Sequence, residues 1–231
     1  MPSAPDIRKT SGKRRVFLVD DHPVLREGVA ALINQQPDLV VCGEAESAAE
    51  AMRALAAEEA DLVIVDISLK GSDGLELIRN LKALKPTLPA LVLSAHDEKL
   101  YAERAVRAGA VGYVMKGDER GRLLEGIHQA LAGHVYLSGA IMAKLLAVRG
   151  AGAEPVNCSG PETLLSDREL EVFRLVGQGL AAQEIARRLS MSPKTVQRHR
   201  DNIRQKLGLP DNNRLQFVAV RWAYDLERAG Q

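Results

Sequence analysis

Leu62-Val63-Ile64-Val65-Asp66-Ile67-Ser68-Leu69-Lys70-Gly71 is the stretch on which the fold turns. Four consecutive aliphatic residues read as a strand buried on both faces, as strands inside parallel sheets are. The carboxylate that follows is delivered to the C-terminal edge of such a sheet, where open α/β folds assemble their chemistry. Taken alone, an aspartate in that position is better explained as a cap for the loop after it. Its meaning depends on what the other strand ends carry.

Working outward, strand and helix signals alternate. Apolar runs at 16–19, 39–42, 88–95 and 111–115 predict four more strands. Helical spacing predicts helices over 23–35, 47–57, 74–85, 98–108 and 118–133, with Pro86 and Gly109 as stops. Five βα units in about 120 residues make a flavodoxin-like, doubly wound, five-stranded parallel sheet with right-handed crossovers.

In a parallel sheet the C-terminal strand ends share one edge. Here they carry Asp20-Asp21, Asp66, Ser94 and Met115-Lys116. Three carboxylates repel one another unless a cation neutralises them, and hard oxygen donors without His or Cys suit Mg²⁺. With such a metal in place, Asp66 could attack a phosphoryl group to give an acyl phosphate, with Lys116 and Ser94 binding its oxygens.

Residues 14–133 accordingly resemble the receiver domain of two-component response regulators. The resemblance implies that Asp20 and Asp21 are the acidic pair and Asp66 the phosphoacceptor. Ser94 matches the switch hydroxyl, Tyr113 the switch aromatic and Lys116 the lysine. It also implies a Mg²⁺ site made by Asp20, Asp21, Asp66 and the backbone carbonyl of Ser68. The separations of 46, 28 and 22 residues from Asp20 through Asp66 and Ser94 to Lys116 fit the family. Two positions depart from it: Lys70 stands where many receivers have proline, and Gly117 replaces a frequent acid, with Asp118 next as an expected helix cap. Ser68 and His96, each two residues past a site residue, are expected to flank the path of hydrolytic water, His96 otherwise as a lone surface histidine.

Composition sets the frame. The chain has 231 residues, enough for two domains, with 46% hydrophobic and 26% charged residues and a net charge of +1. Any nucleic-acid footprint must therefore be local. Cys42 and Cys158 form no CxxC pair and are too few for a disulfide framework. No apolar run approaches the roughly 18 residues of a membrane span, and the basic stretch 1–13 lacks a signal peptide's apolar segment. These features lead to the expectation of a cytoplasmic protein without membrane partners.

Residues 134–161 have linker composition around a short helix at 139–148. Beyond them, Ser166-Asp167-Arg168-Glu169 is a capping box opening a helix that Gly177 and Gly179 end. Residues 182–189 form a short helix, and Ser192-Pro193 opens a longer one to Leu207, with Val196, His199, Ile203 and Leu207 as its inner face. A fourth helix spans about 214–227. Between Arg187 and Lys206 seven basic residues face the single acid Asp201, a local balance of +6. A short helix, a tight turn and a basic helix are the parts that lay a helix in the DNA major groove.

Leu165-Ser166-Asp167-Arg168-Glu169, Gly179-Leu180, Glu184-Ile185-Ala186, Lys194-Thr195-Val196, His199, Ile203 and Lys206-Leu207 resemble the LuxR-type helix-turn-helix, placing this all-α, four-helix domain at 162–231. Receiver plus this module is the NarL/FixJ class of response regulators. By that resemblance Gln197, Arg198 and Asp201 face base edges, while Lys194, Thr195, His199, Arg200 and Arg204 hold phosphates. Gln197 stands where the family often has lysine, so base preference is not carried over.

The combined reading is a regulator, not an enzyme. It takes phosphate on Asp66 from a sensor histidine kinase, and phosphorylation draws Ser94 inward and lets Tyr113 rotate in. Partners expected are double-stranded DNA, a second copy in a homodimer when phosphorylated or DNA-bound, and RNA polymerase. A regulator acting without phosphorylation is the alternative. An aspartyl-phosphate phosphatase would want a general acid where Ser68 stands, and Ser11-Gly12-Lys13 lacks what a P-loop needs.

Overall fold

A computed structural model describes residues 12–69, 72–118, 120–139, 141–143 and 160–228. Lys70, Cys158, the tail 1–11 and most of the expected helix at 139–148 lie outside the described residues. The chain folds as two compact units, Met1–Ile141 and Met142–Gln231.

In the first unit β1 (Arg14–Val19), β2 (Leu39–Ala45), β3 (Leu62–Val65), β4 (Ala90–Ser94) and β5 (Gly112–Met115) form one parallel sheet ordered β2-β1-β3-β4-β5. Between them run α1 (Pro23–Asn34), α2 (Ala48–Ala57), α3 (Gly74–Leu84) and α4 (Glu98–Ala108), with α5 (Arg120–Leu131) last. The pleat sorts the core. Val16, Leu18, Leu62, Ile64, Leu91, Leu93 and Val114 point to one face and pack with Ile33 of α1 and Leu123 and Ile127 of α5. The alternate residues Phe17, Val19, Val63, Val65, Val92 and Tyr113 are equally buried on the side of α2, α3 and α4.

β3, at the sheet's centre, matches the sequence reading, while the other strands differ at their ends. β1 starts two residues early because its edge pairs Arg14 with Leu39, and β2 runs on to Ala45 past a register shift opposite Val16/Phe17. Asp118, expected to cap α5, turns its carboxylate back to the Met115 N–H (3.2 Å) and to Arg122 (3.3 Å). After α5 the chain returns to β5: Tyr136 donates to the Val111 carbonyl and accepts from the Tyr113 N–H, both at 2.9 Å.

The second unit is helical: α6 (Pro161–Leu164), α7 (Asp167–Gly177), α8 (Ala182–Arg188), α9 (Pro193–Leu207) and α10 (Asn212–Arg228). The short α6 begins at the last residue of the stretch with linker composition, with Pro161 at a first-turn position that needs no N–H. The capping box of α7 is complete: Ser166 Oγ accepts from the Glu169 N–H and the Glu169 carboxylate accepts from the Ser166 N–H. Glu169 also receives Lys206 Nζ at 2.6 Å, joining α7 to the end of α9. Gly177 allows α7 to touch α10, since a Cβ there would stand 2.5 Å from the Ala219 carbonyl oxygen. Leu170, Phe173, Ile185, Val196, Ile203, Leu215 and Ala219 fill the core.

Candidate functional site

β1 and β3 lie side by side, so Asp20 and Asp66 leave the sheet as neighbours. The loop after β3 is held close by Gly74, whose amide donates to the Ile67 carbonyl at 2.9 Å. A Cβ on Gly74 would lie 2.0 Å from the Asp66 carbonyl oxygen, so only glycine fits that approach. Asp20, Asp21 and Asp66 are all buried. Lys116, at the end of β5, reaches across to Asp66 Oδ2 (2.6 Å) and Asp20 Oδ2 (2.8 Å). Burial pushes the Asp66 carboxyl up from its ordinary range despite the ammonium beside it. For Lys116 the burial that would lower it is outweighed by the two carboxylates, and its pKa rises.

His22, which the sequence reading passed over, completes the cluster. Its Nδ1 lies 2.8 Å from Asp21 Oδ1, 3.1 Å from Asp20 Oδ1 and 3.8 Å from Asp66 Oδ2. One donor atom from each of Asp20, Asp21, His22 and Asp66 falls within 4.8 Å of the rest. Three carboxylates against one ammonium leave excess negative charge in a small, partly dry space, which is the donor set a divalent cation needs. Behind the loop, Arg26 donates to the Asp20 carbonyl oxygen (2.6 Å) and pairs with Glu44 and Glu46.

The other strand-end residues form a connected chain. Ser94 is fully buried, and its Oγ accepts from the His96 N–H at 3.1 Å. The Tyr113 hydroxyl donates to the His96 carbonyl oxygen at 2.8 Å. Ser68 contacts the cluster through its N–H, which donates to Asp66 Oδ1 (3.1 Å), and its Oγ lies 2.6 Å from His96 Nε2. One expectation needs correcting. His96 is not a surface histidine: it is 5% exposed, because its ring stacks on Tyr101 at 4.6 Å while its Nε2 meets Ser68. Tyr113 stands turned inward, its ring buried and its hydroxyl anchored on the His96 carbonyl.

On α9 the residues expected to meet DNA divide by exposure. Lys194, Thr195, Gln197, Arg198 and Asp201 are exposed, whereas His199, Arg200 and Arg204 are half-buried. Ser192 caps the helix through the Thr195 N–H, and its Oγ also bonds Thr195 Oγ1 at 2.8 Å. Burial, helped by the Arg168 guanidinium, holds the His199 imidazole below its ordinary range, favouring the neutral ring. Arg204 donates to Asp201 Oδ1 (2.8 Å) and to the Pro210 carbonyl (3.3 Å), and so is turned along the protein.

A phosphoacceptor-type sheet edge on one unit and a capped basic helix on the other define a regulator of the two-component kind. Comparison with known proteins places it: residues 16–128 match the response regulator receiver domain and residues 163–220 the bacterial regulatory proteins of the luxR family. The chain is 36% identical to the transcriptional regulatory protein UhpA of Salmonella typhimurium, over 85% of this chain and 93% of that one. It is 35% identical to the nitrate/nitrite response regulator NarL of Escherichia coli K12, over 84% and 89%. Among solved structures it is similar to RcsB of Salmonella enterica serovar Typhimurium bound to promoter rprA in the presence of phosphomimetic BeF3-. That likeness has a TM-score of 0.57 at 25% identity, covering 90% of this chain and 99% of that one. This chain belongs to the NarL/FixJ class of response regulators, DNA-binding transcriptional regulators built from a receiver domain and a LuxR-type helix-turn-helix.

Proposed function

We propose that Asp66 is the phosphoacceptor, served by a sensor histidine kinase, and that phosphorylation controls how the segment 162–231 engages promoter DNA. The observation that carries this is the bridge of Lys116 between Asp66 and Asp20 inside a buried acidic cluster. Asp20, Asp21 and Asp66, with His22 beside them, would hold Mg²⁺, which when bound neutralises phosphoryl oxygens. An Asp66 carboxylate oxygen forms the bond to phosphorus, and the donor's leaving group departs with the bonding pair and takes up a proton. Lys116 lies where it can pair with the phosphoryl oxygens, and Ser94 can donate its hydroxyl proton to one while still accepting from His96. A shift of Ser94 is then handed to Tyr113 through the His96 backbone, so the β4–α4 loop and β5 move together.

On the DNA side, Lys194, Thr195 and Arg200 are assigned to phosphates and Gln197 and Arg198 to base edges, in a homodimer whose paired helices match paired half-sites. The receiver segment is 14–133, and 134–161 connects it to the DNA-binding segment. A cytoplasmic location follows from these partners, and among the described residues no helix is long and apolar enough to cross a membrane. With Mg²⁺ and radiolabelled acetyl phosphate, Asp66→Asn is expected to lose all label. Label that persists in Asp66→Asn moves the acceptor elsewhere.

A further inference from the structure

Asp201 is the single acid in the basic stretch of α9, and its neighbours account for it. Its Oδ1 accepts from Arg204 Nη2 at 2.8 Å and from Gln197 Nε2, one turn earlier, at 3.2 Å. Arg204 is itself tied to the Pro210 carbonyl beyond the helix end at 3.3 Å. The order Pro210, Arg204, Asp201, Gln197 is therefore a line of hydrogen bonds ending on an exposed amide. A carboxylate only accepts, so it fixes which end of the Gln197 amide faces it. Nε2 must turn inward, and Oε1 with the second N–H of Nε2 is left facing outward.

We infer that Asp201 sets the base preference of α9 indirectly, by holding the Gln197 amide in the one orientation that reads adenine and rejects guanine. The inference rests on the reading above that Gln197 meets base edges. In the major groove adenine offers a donor at N6 and an acceptor at N7, and an outward Oε1 plus one N–H matches both. Guanine offers acceptors at O6 and N7. With one N–H spent on Asp201, the amide has a single donor left and sets Oε1 against O6. A free glutamine could turn its whole NH₂ group toward those two acceptors, and the bond to Asp201 removes that option. Asp201 is accordingly a positioning residue, and Arg204 is its anchor.

The test uses the full chain, phosphorylated with acetyl phosphate, on a site selected from a random DNA pool, with each half-site position then changed to all four base pairs. The wild-type protein is expected to prefer adenine over guanine at one position by about tenfold or more. Gln197→Ala should flatten that position. Asp201→Ala should shrink the adenine-to-guanine ratio there to within about threefold while other positions keep their preferences. Because the readout is a ratio between DNA sites, neither partial misfolding nor the general gain from deleting an acid moves it. An unchanged ratio in Asp201→Ala, with Gln197→Ala flattened, overturns the inference and leaves the base-reading role of Gln197 intact. No change at any position in either variant overturns that role as well.

Discussion

The C-terminal edge of the sheet and the outer face of α9 both gather charge, and they use it in opposite ways. At the sheet edge Lys116 is 12% exposed and Asp66 2%, so acid and base meet behind the surface, where interactions are strong and salt penetrates little. On α9 Lys194 and Arg198 stand in water, and even the Asp201 pair is 48% exposed on its acid side. The first arrangement suits a bond made and broken at one atom. The second suits a long polyanion, where each contact is small and the sum depends on salt. Burial, more than residue type, separates the chemical site from the binding face.

The largest blow to this contrast should come from Gly74→Ala. The added methyl has to displace the Asp66 carbonyl, and the first unit is expected to lose about 3 kcal/mol in urea unfolding, with labelling of Asp66 falling in step. The fluorescence of Trp222, the chain's one tryptophan and a residue of the second unit, should not follow. Receiver stability equal to wild type would show that the close approach is dispensable.

Next in size is Arg198→Ala with Arg200→Ala, expected to weaken DNA binding about tenfold or more and to make the slope of log K against log salt shallower by about 1. Asp66 labelling in the same variant should be unchanged. A salt slope unchanged from wild type would take Arg200 out of the phosphate contacts.

Lys206→Met sharpens the comparison from inside the second unit, where Glu169 is a buried acid like Asp66 but has its pKa moved the other way. Burial would raise Glu169, yet the Lys206 ammonium and the Ser166 amide and hydroxyl outweigh it and hold the group below its ordinary range. Removing Lys206 should cost about 1–2 kcal/mol in unfolding followed by Trp222. The smallest effect concerns pH. With a folded pKa below the ordinary 4.5, Glu169 contributes its stability above that value and loses it as pH falls through the lowered one. The acid transition of Trp222 should therefore begin at higher pH in Lys206→Met than in wild type. Identical acid transitions would mean that the pair contributes nothing in solution.

Strand β3 and helix α9 have the bounds that periodicity predicted, 62–65 and 193–207, because both rest on strong local signals: a short aliphatic run, and a Ser-Pro start with a glycine stop. The strand ends that carry Asp20, Asp66, Ser94 and Lys116 were equally legible, since a parallel sheet sends every such end to one edge. What escaped was set by side-chain direction. His22 lies on no periodic face, and only the turn after β1 brings its ring against three carboxylates. His96 looked exposed because loop residues usually are, and its burial depends on Tyr101 and Ser68, which come from two other segments. The bonds that turn Arg204 away from solvent and orient Gln197 need coordinates, because several rotamers of each are open to an isolated helix.

The return of Tyr136 to β5 bears on how copies of this protein can meet. An edge strand offers unpaired amides and carbonyls that invite sheet-to-sheet joining. Tyr136 uses some of those groups on β5, and the register shift kinks β2 at the other edge. Both features work against fusing two sheets into one longer sheet and against the aggregation that such joining seeds. Any contact between copies is thereby directed to side chains on helices and loops rather than to strand edges.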